Sequence, residues 1–271
     1  MPNDINEQED ESTGVDEKLT QVPMEKDIFF NNVSYSYSGA DRNYAIKDVS
    51  LKIPRGKVTA IVGSSGSGKT TLLKLIMGFY TPQKGFVSIG HTPIQAIKPS
   101  AWRNKIGSVL QDGFIFSDTI ANNIAISDMG NIDKDRLYKA AEKANLLDYI
   151  YAQPLNFSTK IGSEGIGLSH GQKQRILIAR AIYKNPDFII LDEATNALDA
   201  DNEKQIVKNL YDVYQGKTVI IAAHRLSTIR YADNIIVLDN GMIVENGTHD
   251  ELVLKKNYYY NLVKNQLDNN G

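Results

Sequence analysis

Gly63-Ser64-Ser65-Gly66-Ser67-Gly68-Lys69-Thr70 follows directly on the apolar run 58–62, and the fold of the whole chain turns on how these residues are read. A strand, a glycine-rich loop and a helix in this order form the pattern that cradles nucleotide phosphates. The glycines let the backbone curl until successive N–H groups converge on an anion. A helix opening near Gly68 adds its positive dipole end at the same point. In that arrangement Lys69 reaches the β- and γ-phosphates, and Thr70 offers its hydroxyl to Mg²⁺. The loop announces a phosphate ligand, and what the ligand is used for must come from the remaining residues.

At 271 residues the chain suffices for one large domain or two modest ones. Its 42% hydrophobic residues can bury a substantial core, and the 23% charged fraction is ordinary. There is no cysteine, which excludes disulfides and thiolate metal sites. The four histidines, at 91, 170, 224 and 249, show no metal-cluster spacing. The net charge of −2 conceals an asymmetry, because residues 1–25 hold eight acidic side chains and one lysine, leaving +5 on the other 246. That surplus suits a phosphate ligand, whereas no Lys/Arg cluster interleaved with aromatics argues for nucleic acid. No apolar run approaches the length of a bilayer span. The polypeptide itself is therefore expected to be soluble, which leaves open whether its partner is.

Residues 1–25 are polar, acidic and poor in large apolar side chains, which predicts a linker or disordered tail with order beginning near Asp27. Segments 28–33 and 45–53 read as strands, the second alternating at Ile46, Val49, Leu51 and Ile53. Between them, Tyr35 and Tyr37 stand at strand spacing; one is expected in the core and the other could stack on an adenine base. The helix after the loop carries Leu72, Leu73, Leu75, Ile76 and Met77 and stops at Gly78. Short strands follow at 86–89 and 106–110, the latter leading into Gln111-Asp112. From about 113 to 168 strand patterning disappears and helical periodicity takes over, clearest in Leu137, Ala140, Ala141, Ala144, Leu147 and Ile150. This predicts a helical subdomain inserted into a nucleotide-binding core.

Residues 165–172 form a second glycine-containing loop that opens onto a helix, and hence a second anion-seeking helix end. Two such ends with only one lysine-bearing loop make sense if each nucleotide is shared between two copies of the protein. The apolar strand 187–191 ends in Asp192 and Glu193. A carboxylate at that strand end is placed to hold Mg²⁺, usually through water. Its neighbour would orient or deprotonate an attacking water. A further buried strand, 217–223, ends at His224, on the sheet edge where ligands collect. Strands 234–238 and 242–245 turn at Asp239-Asn240-Gly241, and helices at 249–254 and 258–266 close the chain.

With these pieces in order, residues 26–266 resemble the nucleotide-binding domain of ATP-binding-cassette (ABC) transporters. Gly63, Ser64, Ser65, Gly66, Ser67, Gly68, Lys69, Thr70 and the adjoining Thr71 look like the phosphate loop, and Gln111 like the glutamine of the Q-loop. Leu168-Ser169-His170-Gly171-Gln172 is similar to the signature motif. Asp192-Glu193 matches the magnesium aspartate and catalytic glutamate, Asn196-Ala197-Leu198-Asp199 the D-loop, and His224 the switch histidine. Tyr37 matches the aromatic that stacks on adenine. The resemblance implies an α/β fold: a P-loop NTPase core with a mixed sheet, an antiparallel β subdomain and an inserted helical subdomain at about 113–183. It implies ATP and Mg²⁺ as ligands. Glu193, His224, Lys69 and Gln111 would act in catalysis, and Thr70, Gln111 and Asp192 would hold the metal. Ser169 and Gly171 would close over the γ-phosphate across a head-to-tail pair, and Gln172 and Asp199 would also bind the nucleotide.

Gln111-Asp112-Gly113-Phe114-Ile115-Phe116-Ser117, with Thr119-Ile120 and Asn123-Ile124, is similar to the exporter branch, as is Gly247-Thr248-His249-Asp250-Glu251-Leu252. That branch implies a transmembrane domain, usually earlier on the same polypeptide, and a second ATP-binding domain completing a homodimer or pseudo-dimer. Residues 1–25 would then be the connecting linker, and the site of action the cytoplasmic face of the cell membrane. The alternative is a soluble ABC ATPase working on DNA or the ribosome, but the tandem cassettes or long coiled-coil insertions usual there are absent from this sequence. The pattern is departed from at His170, where glycine is usual, at Asn196 in place of serine, and at Ser163 in place of glutamate. Lys69, Asp192, Glu193 and His224 are kept, so hydrolysis is expected.

Overall fold

The computed structural model describes residues 18–23, 26–38, 43–163, 165–196, 200–223 and 225–267. In chain order, β1 (Ile28–Tyr35) and β2 (Ile46–Ile53) form an antiparallel pair, and β3 (Val58–Val62) runs through the glycine loop into α1 (Lys69–Ile76). Next come β4 (Lys84–Ile89), β5 (Thr92–Pro93), α2 (Pro99–Asn104) and β6 (Ile106–Val109). The inserted segment holds β7 (Asp118–Thr119), α3 (Ile120–Ile124), α4 (Lys134–Lys143), α5 (Leu147–Tyr151) and β8 (Lys160–Ile161). Helix α6 (His170–Lys184) then returns the chain to β9 (Phe188–Asp192). The rest is α7 (Ala200–Tyr214), β10 (Thr218–Ala222), α8 (Leu226–Ile229), β11 (Asn234–Asp239), β12 (Met242–Gly247), α9 (His249–Lys255) and α10 (Tyr258–Leu267).

A six-stranded mixed sheet of order β12-β11-β3-β10-β9-β6 forms the centre, with all neighbours parallel except the β11–β12 hairpin. Its inner strands read as unbroken apolar runs because both of their faces are covered. The side chains still alternate with the pleat and sort into two cores. Ile61, Phe188, Ile190, Ile220 and Ala222 point toward α1 and the antiparallel sheet β2-β1-β4-β5. Ala60, Val62, Ile189, Leu191, Val219 and Ile221 point to the other side, where α6 through α10 pack. Helix α1 is thus sandwiched between two sheets, and its Leu72, Leu73, Leu75 and Ile76 are fully buried. Four such side chains contribute at most roughly 6–12 kcal/mol against an extended unfolded chain.

The two-sheet α/β architecture agrees with the expected fold, but the inserted segment differs from its sequence reading in two ways. Strand pairing persists there, because β7 and β8 pair antiparallel and tie the two ends of the segment together. Two-residue strands are too short to leave an alternating signal. The apolar periodicity also belongs to two helices: Asn145, in the left-handed region at φ 53°, breaks the chain between α4 and α5. The break shifts the phase, so Leu146 is fully buried and Leu147 only half so. The segment shares one continuous apolar core with the central sheet through α6. At the other end, order starts before Asp27. The Leu19 N–H donates to the Ala96 carbonyl and the Lys98 N–H donates back to the Leu19 carbonyl, so the backbone here forms an isolated bridge with Ile97 despite its polar composition.

Candidate functional site

The loop 63–68 leaves the C-terminal end of β3 and delivers α1 with no side-chain cap: Gly68 is the N-cap residue, in the left-handed region at φ 108°. The first-turn N–H groups are therefore without a side-chain acceptor, which is the arrangement that favours an anion. Ser67 Oγ is buried and has no partner among the described residues. Lys69 is buried, and its Nζ donates to the carbonyls of Gly63 and Ser64, each at 2.9 Å. Burial holds this ammonium below the ordinary lysine range, against the pull of Glu193 and Asp192.

Because β9, β10 and β3 are parallel neighbours, the carboxylates at the end of β9 arrive beside the loop. Asp192 is almost completely buried. Burial pushes its carboxyl above the usual range; a hydrogen bond from the Thr70 side chain opposes this, and the charge of Glu193 adds to the rise. Thr70 and Asp192 together present hard oxygen donors, a set that fits Mg²⁺. Glu193 follows in the left-handed region at φ 52°, its N–H held by the Ala222 carbonyl at 2.9 Å. A non-glycine residue there carries backbone strain that recurs at functional sites.

A cavity of about 280 Å³ brings the predicted residues together: Tyr37, Ser65, Gly66, Gly68, Lys69, Thr70, Thr71, Gln111 and Glu193 line it. Tyr35 is the core tyrosine of the early pair, at 8% exposure, stacked on Tyr80 at 5.0 Å. Tyr37 is 60% exposed, with its ring edge-on to both and its hydroxyl 2.9 Å from Thr71 Oγ1. The ring is presented at the rim while its polar tip is fixed to α1.

Ser169, Gly171 and Gln172 are not brought to this cavity. They open α6, where a reciprocal capping box joins Ser169 and Gln172: the Gln172 N–H donates to Ser169 Oγ, and Gln172 Oε1 accepts the Ser169 N–H at 2.8 Å. Ser169 and His170 are exposed. His170 lines a second cavity of about 250 Å³, which shares Gln111 and Glu193 with the first. Asp199 and His224 lie outside the described residues.

Two partners of Glu193 were not anticipated from sequence. Asn196 Nδ2 donates to Glu193 Oε2 at 2.5 Å, and its backbone N–H donates to the Glu193 carbonyl at 3.1 Å. Gln174 Nε2, from α6, donates to that same carbonyl at 3.0 Å. Asn196 stands three residues after Glu193, a spacing at which a tight turn can fold back. Gln174 left no sequence signal, since only the tertiary packing of α6 brings it there.

The chain is similar to known proteins. A family model described as ABC transporter matches residues 46–196. The chain is 44% identical over 254 residues to ATP-binding cassette sub-family B member 10, mitochondrial, of Mus musculus, covering 93% of this chain and 35% of that protein. It is 47% identical over 222 residues to an ATP-dependent lipid A-core flippase of Saccharophagus degradans, covering 82% of this chain and 38% of that protein. A solved structure of a bacterial Atm1-family ABC exporter with ATP bound superposes with a TM-score of 0.86 at 35% identity, over 92% of this chain and 43% of that one. In each case the chain spans less than half of its relative.

Proposed function

The chain belongs to the ABC transporter family as an ATP-binding domain homologous to exporters, and from that premise we propose that its ATP hydrolysis drives an exporter's transport cycle. The observation that carries this reading is the convergence on one cavity of an uncapped helix end, a buried lysine and a strand-end carboxylate. Lys69, Thr71 and the loop N–H groups bind the polyphosphate, and Tyr37 stacks on the adenine. Mg²⁺ would be held by Thr70 and Asp192 with Gln111, and would neutralise charge on the phosphate oxygens. Glu193 orients or deprotonates the water whose oxygen bonds to the γ-phosphorus as the bond to the ADP oxygen breaks. Phosphoryl transfer needs mainly positioning and charge stabilisation, and these groups supply both.

The exposure of Ser169 at an α6 end outside the lining of the loop's cavity supports a site shared between two copies. In a head-to-tail pair, Ser169, Gly171 and Gln172 of one copy close over the γ-phosphate held by the other. Asp199 and His224 take the roles the resemblance gives them, D-loop contact and switch. The chain's span of less than half its relatives supports a transmembrane domain on the same polypeptide, with this domain at the cytoplasmic face. Among the described residues no helix is long and apolar enough to cross a membrane.

Glu193→Gln tests the assignment. Phosphate release should fall roughly 10²–10⁴-fold, the range for loss of a general base. ATP should still bind, and a nucleotide-dependent dimer should accumulate on size-exclusion chromatography. Phosphate release near the unsubstituted rate would refute the role of Glu193.

A further inference from the structure

Helix α10 begins more than sixty residues beyond the span matched by the family model, yet it reaches back to the phosphate loop. Its first residue, Tyr258, donates its phenol O–H to Asp239 Oδ1 at 2.6 Å. Asp239 ends β11, the strand that runs parallel beside β3 and so terminates next to the loop. The other carboxylate oxygen accepts from Asn240 Nδ2 at 3.0 Å, so the acceptor is held on both sides. Inside the loop, the carbonyl of Ser64 accepts the Lys69 ammonium at 2.9 Å. From the adjoining turn, the Gly241 N–H donates to the Ser67 carbonyl at 3.0 Å.

The helix that carries Tyr258 is itself firmly anchored. Tyr259 is fully buried, its N–H donates to Glu245 Oε2 at 2.6 Å, and its hydroxyl meets His249 Nδ1 at 2.8 Å. One turn further on, Leu262 and Val263 line a void of about 40 Å³ together with Val62 and Gly63 at the base of the loop. Ser64, Ser65 and Gly66 are exposed, so the outer half of the loop has little packing to hold its shape. A loop that binds phosphate through its backbone N–H groups loses affinity when those groups must be ordered on binding.

We propose that Tyr258 is a positioning residue for ATP binding, by which α10 holds the phosphate loop in its binding geometry through Asp239 and the turn that follows it. The proposal rests on the reading of the loop as the ATP site. Isothermal titration of Mg-ATP into the full chain, with turnover and thermal melting measured alongside, tests it. Tyr258→Phe keeps the ring and removes the hydroxyl; it should weaken ATP binding about fivefold and raise KM to match, with kcat at saturation unchanged. Asp239→Ala should do the same, and the double variant should be no weaker than either single one, because both break one connection. A lowered melting temperature with ATP affinity within twofold of the unsubstituted chain would overturn the proposal, as would fully additive effects. Lys69→Ala in the same titration separates the two levels. If it retains binding, the loop reading falls and the proposal with it; if it loses binding while Tyr258→Phe does not, only the proposal falls.

Discussion

Alanine placed at two glycines of the same loop should have unequal effects, and the inequality can be worked out from local geometry. Gly66 and Gly68 both have positive φ, 77° and 108°. An alanine at Gly66 would have nothing within 4 Å of its methyl group, so it meets only the backbone cost of a left-handed conformation, about 1–2 kcal/mol. At Gly68 the methyl carbon would lie 2.6 Å from the Ala45 carbonyl oxygen and 2.9 Å from Ile46 Cδ1. The carbonyl is backbone at the start of β2 and cannot rotate away, so an overpacking cost of roughly 1–3 kcal/mol adds to the first. Gly68→Ala should therefore lose about 2–5 kcal/mol and Gly66→Ala about 1–2, from a total stability on the order of 5–15. For a domain of this size each kcal/mol moves the melting temperature roughly 2–4 °C. Calorimetry of the two variants without nucleotide gives the comparison. Equal melting temperatures would show that β2 yields freely to α1, and the crowding argument would be wrong.

Two further substitutions test the frame around the site. Burial holds the His249 imidazole below the ordinary histidine range, although Asp250 pulls the other way. The unfolded chain therefore binds a proton that the folded one does not, and stability should fall as pH drops from about 6.5 toward the folded pKa. Carboxylates held low, such as Asp27 and Glu251, act at lower pH. Melting temperatures between pH 7 and 5 should slope less in His249→Gln; an unchanged slope would exclude His249 as the cause. Asn123 is fully buried, accepts the Phe116 N–H at 2.9 Å and donates to the carbonyls of Phe116 and Thr119. Asn123→Leu strands at least two of these groups and weakens the seat of Arg180 beside it, so urea unfolding should show a loss of about 3–5 kcal/mol. A loss below 1 kcal/mol would mean that the stretch after Gln111 is held by other contacts.

What could be read from the sequence divides along physical lines. The central strands were legible because burial on both faces demands runs such as 188–191 and 58–62, and a glycine-rich loop after one of them has few other uses. Lys69, Thr70, Gln111 and Glu193 were legible for the same reason: each stands at the end of a strand or on the loop itself, and the parallel sheet gathers such ends at one edge. The β7–β8 pair, the docking of Leu19 and the break at Asn145 were not legible, since each depends on a few backbone hydrogen bonds that no side-chain pattern records. The contacts that hold Glu193 were hidden differently. Gln174 and Asn196 are ordinary polar residues whose importance arises only when α6 and the turn after β9 fold against each other.

Helix α6 has a mechanical consequence. Its C-terminal end is clamped, with Tyr183 fully buried and the Lys184 ammonium donating to the Arg103 and Ile106 carbonyls at 2.7 Å each, while Ser169 at the other end is exposed. Fifteen residues at 1.5 Å rise make a rod about 22 Å long. Pivoting about the clamp by 10° would sweep the exposed tip through about 4 Å, more than the length of a hydrogen bond. A small tilt of the inserted segment is thus magnified at the tip into the difference, in the proposed head-to-tail pair, between touching and missing a ligand held by the other copy.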